Sequence, residues 1–257
     1  MRHGLSVALA AFVVGLSGLI ALGACSSPSP GLGAKAAIID QLHDLQPNGA
    51  FVSEVTQQLN ALGLEVDIYQ SDEVTVDFYQ KLPSHGYKLI LFRVHSGLLT
   101  KEGEMAEGTW LFTSEPHNPL KYTEERLAGR IVKAQTYEQQ PRVFAVGSDF
   151  ITQNTEGQFD NAVIIMMGCF SLYLDDLAQA FVKKGANTCL GWNGNLSLDY
   201  VDKATVKLIN NLCHEEMTFK RAIEKVMADM GPSPVYYAEL VCYPAQNGYK
   251  TISEIIR

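Results

Sequence analysis

From residue 36 onward, short apolar runs alternate with amphipathic stretches. This is the pattern of an α/β fold built on a mainly parallel sheet. Ala36-Ala37-Ile38-Ile39-Asp40 predicts a buried strand. Asn48 is placed to cap a helix that carries Phe51, Val55, Leu59 and Leu62 on one face and stops at Gly63. A second strand is expected over 64–69, a short helix over 74–82 and a third strand over 88–94. The unbroken apolar run of that third strand marks burial on both faces. The pattern resumes with strands over 162–167 and 187–192. Between them runs a helix with Leu174, Leu177, Ala178, Phe181 and Val182 on one face, ended by Gly185. Its acids Asp175 and Asp176 lie near the start and Lys183 and Lys184 near the end, each sign favourable to the helix dipole. A helix over 199–213 buries Val201, Leu208, Ile209 and Leu212. The last helix is capped by Thr218, repeats Phe219, Ala222, Ile223, Val226, Met227 and Met230, and ends at Gly231-Pro232.

Residues 100–140 break this rhythm. They are polar, with a strand-like Thr109-Trp110-Leu111-Phe112-Thr113 and a loop around Pro116 and Pro119. Too few apolar positions are present for a separate core, so this stretch reads as an insertion, a β-hairpin with a helix, inside one α/β domain over 35–257.

Ahead of that domain the pattern is of another kind. Residues 5–24 carry no charge and end in Leu22-Gly23-Ala24-Cys25, followed at once by Ser26-Ser27-Pro28-Ser29-Pro30. An apolar run closed by two small residues and a cysteine resembles the lipobox of bacterial lipoproteins. The resemblance implies a signal peptide over 1–24, lipidation of Cys25, a flexible tether over 25–34 and anchoring at the extracytoplasmic face of the cell envelope.

Composition narrows the function classes. The chain has 257 residues, with 20 Lys and Arg against 28 Asp and Glu, a net charge of −8. With no basic block, a phosphate backbone is a poor partner, and no nucleic acid is expected. There are 5 Cys but no Cys-x-x-Cys spacing, so a disulfide framework, a zinc knuckle and a thiol redox motif are all disfavoured. No metal site and no cofactor are expected.

The candidate chemistry lies where two predicted strands end. The strand over 88–94 runs into His95-Ser96-Gly97, and the strand over 162–167 runs into Gly168-Cys169. In parallel sheets the reactive groups collect at the carboxyl ends of the strands. If the two strands are neighbours, an imidazole and a thiol emerge side by side. A helix following Cys169 would lower the thiol pKa through its dipole. His95 would serve as base and then as acid, and backbone amides at Ser96, Gly97 and Cys169 would bind an oxyanion. That is the equipment of a cysteine hydrolase. Cys189, Cys213 and Cys242 read as buried thiols, and His43, His85, His117 and His214 as surface or loop residues.

The stretches Leu89-Ile90-Leu91-Phe92-Arg93-Val94-His95-Ser96-Gly97 and Val163-Ile164-Ile165-Met166-Met167-Gly168-Cys169 resemble the caspase-like clan of cysteine peptidases, which includes caspases, legumains, clostripain and gingipains. The resemblance continues through 176–187 into Cys189-Leu190-Gly191-Trp192. It implies a three-layer sandwich with a mainly parallel central sheet. It also implies Cys169 as nucleophile, His95 as general base and acid, a substrate pocket reached by Trp192 and Asn193, and a peptide or protein substrate. Ser96 stands where many relatives carry Gly, and Gly168 leaves no acid directly before the nucleophile, so substrate preference stays open. Two other readings stand beside this one: a catalytically silent, membrane-tethered binding module of the same fold, and a glutamine-amidotransferase-like hydrolase. The last would need a histidine after the cysteine in sequence, and His214 is the only later one.

Overall fold

The computed structural model describes residues 33–99, 107–136 and 138–256. Cys25 and the expected signal peptide lie outside them. Strands β1 (Lys35–Asp40), β2 (Glu65–Gln70), β3 (Tyr87–Arg93), β8 (Val163–Met166), β9 (Thr188–Trp192) and β10 (Leu240–Tyr243) form one sheet in the order β10-β9-β8-β3-β1-β2. All neighbours pair in parallel except β10, which lies antiparallel on β9. The fold is therefore α/β with a mixed, largely parallel central sheet.

Side chains alternate across a strand, so a strand apolar at every position feeds two cores. In β3, Leu89 and Leu91 face helices α1 (Gly49–Ala61), α6 (Leu198–Cys213) and α7 (Phe219–Met230). Ile90 and Phe92 face α2 (Val76–Lys81), α4 (Ser148–Gln153) and α5 (Asp176–Lys183). Helices thus cover both faces of the sheet. The expected caps are in place: Asn48 accepts a hydrogen bond from the Phe51 amide at 3.1 Å, and Thr218 accepts one from Arg221 at 3.4 Å. Gly63 and Gly231 end their helices with φ of 90° and 71°, a region where a side chain is strained. No helix among the described residues is long and apolar enough to cross a membrane.

The polar stretch is larger than the insertion expected from residues 100–140. It forms a second, antiparallel sheet in the order β4-β5-β7-β6, from β4 (Ser96–Leu99), β5 (Gly108–Pro116), β6 (Ile131–Ala134) and β7 (Val143–Val146), with the short α3 (Thr123–Leu127) before β6. It begins directly after His95 and runs past residue 140. Leu111, Ile131, Phe144 and Val146 join the core on the α2 and α5 side of the main sheet. A stretch too polar to make its own core is stable because it borrows this one.

Candidate active site

β3 and β8 are neighbours, with Leu89 opposite Val163 and Phe92 opposite Met166. His95 follows Phe92 by the same number of residues as Cys169 follows Met166, so both leave the sheet at the same level. The Met167 amide still donates to the Phe92 carbonyl at 2.9 Å, which holds the two exits together. Both side chains line one cavity of about 800 Å³. No hydrogen bond joins the imidazole to the sulfur.

The two exits are latched by the residues beside them. Ser96 Oγ donates to the Cys169 carbonyl at 2.6 Å. Gly168 is required here, because a Cβ would collide with Ser96 Oγ and would lie 2.8 Å from both Ser96 Cβ and the Val94 carbonyl oxygen. On the other side of the thiol, Phe170 takes a left-handed φ of 56° while its amide donates to the Gly194 carbonyl at 2.9 Å. A bulky residue in that region is strained by about 1–3 kcal/mol and persists only where its surroundings over-determine it. The imidazole is held in turn: the His95 amide donates to Gln41 Oε1 at 3.0 Å, and the ring lies 6.1 Å from that of Phe112.

The ladder distinguishes the candidate oxyanion amides. The Phe112 amide donates to the His95 carbonyl, and Ser96 pairs with Leu111, Gly97 with Trp110. Hydrogen-bonded and open positions alternate along an antiparallel pair. The Gly97 amide is therefore turned into the ladder, and the Ser96 amide points away from β5. The Phe170 amide is taken by Gly194. This leaves the Ser96 and Cys169 amides as the candidates that donate to no backbone carbonyl among the described residues.

The electrostatics differ from the sequence expectation. Burial pushes the Cys169 thiol pKa above its ordinary value, against weaker opposing hydrogen bonds from the backbone at Leu196 and at Cys169 itself. Burial also lowers the pKa of His95. The resting pair is thus a neutral thiol and a neutral imidazole. The expected helix dipole does not reach the sulfur, because α5 begins only at Asp176. The chain from Phe170 to Asp175 intervenes, and Leu174 lies before the helix rather than on its face.

Two residues before His95, Arg93 closes β3 inside a buried network. Its guanidinium, 1% exposed, donates to Asp40 Oδ1 at 2.7 Å, to both carboxylate oxygens of Asp202 at 3.0 Å and to the Gln46 carbonyl at 3.0 Å. Asn48 Nδ2 donates to Asp202 Oδ2 at 2.9 Å. Burial opposes the guanidinium charge, but the hydrogen bonds and charges of Asp202 and Asp40 outweigh it and leave the Arg93 pKa raised. An arginine inside an apolar strand is itself a sign in the sequence that buried acids await it.

Trp192 and Asn193, expected to reach a substrate pocket, do not line the cavity that holds His95 and Cys169. Trp192 is 1% exposed and packs on Tyr200 in the core. Asn193 clamps Glu239 through both its backbone amide and its side chain. The chain reaches the cavity just beyond, at Asn195, Leu196, Ser197 and Leu198. Leu42, Gln46 and Val235 also line the cavity and carry no motif in the sequence. Cys189, Cys213 and Cys242 are free thiols. Cys189 lies in one core, and Cys242 packs against the other across the sheet. Cys242 is only partly buried, because β10 is an edge strand. His214 caps α6 and does not line the cavity. No protein-family model matches the chain, and no curated protein matches it in sequence.

Proposed function

We propose that this protein is a cysteine peptidase of caspase-like type, tethered by lipid on Cys25 to the extracytoplasmic face of a membrane. The observation that carries the reading is the common level at which His95 and Cys169 leave adjacent parallel strands into one cavity. The order of the central sheet, with its antiparallel edge strand β10, is compatible with that fold family. The anchoring rests on the Leu22-Gly23-Ala24-Cys25 motif alone.

The chemistry follows from a pair that rests uncharged. His95 takes the thiol proton as the sulfur attacks the peptide carbonyl, forming the S–C bond and placing negative charge on oxygen. The Ser96 and Cys169 amides stabilise that charge. Collapse breaks the C–N bond, and the imidazolium of His95 gives its proton to the departing amine. Water, deprotonated by His95, then cleaves the thioester and returns the thiol. Proton transfer and attack are coupled, because a thiolate is disfavoured in this buried site until the base is engaged.

The elevated thiol pKa and the absence of an imidazole–thiol hydrogen bond favour a second reading, a silent module that binds peptides without cutting them. Hydrolysis of a peptide library by the protein lacking residues 1–24 separates the two. Cleavage that vanishes in Cys169→Ala, with unchanged thermal unfolding, supports the peptidase. Cleavage that survives the substitution, or no cleavage by the intact thiol, removes it. The amidotransferase alternative is weaker, since His214 does not line the cavity that holds Cys169.

A further inference from the structure

Resting on the peptidase reading, we propose that the substrate residue carrying the scissile carbonyl is uncharged, and that the substrate chain beside it lies against Val235 and Tyr236. Asp, Glu, Lys and Arg make up 19% of the chain. Among the described residues that line the cavity around Cys169 there is none of them. Its walls carry Leu42, Leu196, Leu198 and Val201 beside the neutral polar side chains of Gln46 and Asn195. At the mouth, the segment between α7 and β10 holds Val235 65% and Tyr236 49% exposed. Apolar groups left in water at the rim of a cavity mark a surface that a ligand covers.

Arg93, whose guanidinium also reaches the Gln46 carbonyl, is buried and already bonded to two acids, Asp40 and Asp202, a trio of net charge −1 that leaves no cation for an entering anion. The lack of charge is also local. A smaller cavity of about 240 Å³ shares His95 and carries Asp44 and Asp72. A charged side chain entering beside Cys169 would lose its water and find no charged partner among the described lining residues, whereas an uncharged one keeps its contacts with the walls at less cost. A volume of about 800 Å³ accommodates more than one such side chain.

The test uses four N-acetyl tripeptidyl acyloxymethyl ketones that differ only in the residue next to the reactive carbon: Leu, Gln, Arg or Asp. Intact-protein mass spectrometry gives the rate of Cys169 labelling, with Cys169→Ala as blank. Leu and Gln are expected to label faster than Arg and Asp, with Arg and Asp slower than Leu by about tenfold or more. Arg or Asp equal to or faster than Leu overturns this inference and leaves the peptidase reading intact. Labelling of Cys169 by none of the four overturns both. In Val235→Asp, an exposed substitution that the fold tolerates, the Arg-to-Leu rate ratio should rise about threefold to tenfold through the added charge. An unchanged ratio removes the rim residues from the proposal.

Discussion

Arg93 and His95 stand two residues apart at the end of one strand, and their surroundings could hardly differ more. Arg93 is enclosed between β1, β3 and α6, and four hydrogen bonds meet its guanidinium. His95 faces a cavity, and among the described residues the only hydrogen bond it donates is from its backbone, to Gln41. Burial costs a polar group its hydration, so a side chain that holds the structure must find partners. A side chain left with its ring atoms free at the edge of a cavity is available for something that enters it. Burial alone therefore does not separate a structural polar group from a functional one. The state of its partners does.

Substitution at the two positions should have opposite consequences. His95→Ala should lower peptide hydrolysis by about a hundredfold to ten-thousandfold, the range for loss of a positioned base. Its unfolding free energy from urea titration should change by less than about 1 kcal/mol. Comparable activity in His95→Ala would falsify the role given to the imidazole. Arg93→Met should do the reverse in cause: it leaves Asp40 and Asp202 buried without a countercharge, a loss of about 3–5 kcal/mol in unfolding free energy. Denaturant titration reads this directly, and a near-neutral result would mean that the acids protonate or find water instead.

The latch between the two strand exits offers an intermediate effect. Gly168→Ala forces a methyl group against Ser96 and the Val94 carbonyl, which overpacking places at about 1–3 kcal/mol. Because the displaced groups include the Ser96 amide, activity should fall further than stability does. Equal turnover in Gly168→Ala would show that the amide is not used. The smallest effect concerns charge. Burial raises the thiol pKa, so alkylation of Cys169 should climb only as pH rises past the ordinary thiol value of 9.0. Lower pH protonates the sulfur further and slows it. The profile should be the same in His95→Ala, since the resting imidazole is neutral and unbonded to sulfur. A plateau of reactivity at acidic pH that His95→Ala removes would reveal a thiolate–imidazolium pair instead.

Much of the scaffold was legible because its causes are local. Asn48 and Thr218 cap helices through their own side chains, and Leu89 to Phe92 declare a doubly buried strand by composition alone. The short strands β4, β6, β7 and β10 were not legible. Each spans only 4 residues of mixed burial, and their partners, not their sequences, make them strands. His95 and Cys169 were found as strand ends. Their common level depends on the register of β3 and β8, which no local pattern specifies. The pocket shows the same limit: Trp192 lies at the end of β9, but the turn through Asn193 and Gly194 carries the chain to the cavity only at Asn195.

What the amino-acid order determined by itself is the longer helices, the apolar strands of the central sheet, the two reactive side chains and the Gly beside the thiol, because helix caps, period-two burial and backbone freedom act within a few residues. The tertiary structure alone decided which strands are neighbours and that Arg93 turns inward to Asp40 and Asp202. It also decided that Cys169 and His95 rest uncharged. Those outcomes depend on desolvation and on partners distant in the chain, and neither exists until the sheet has closed around them.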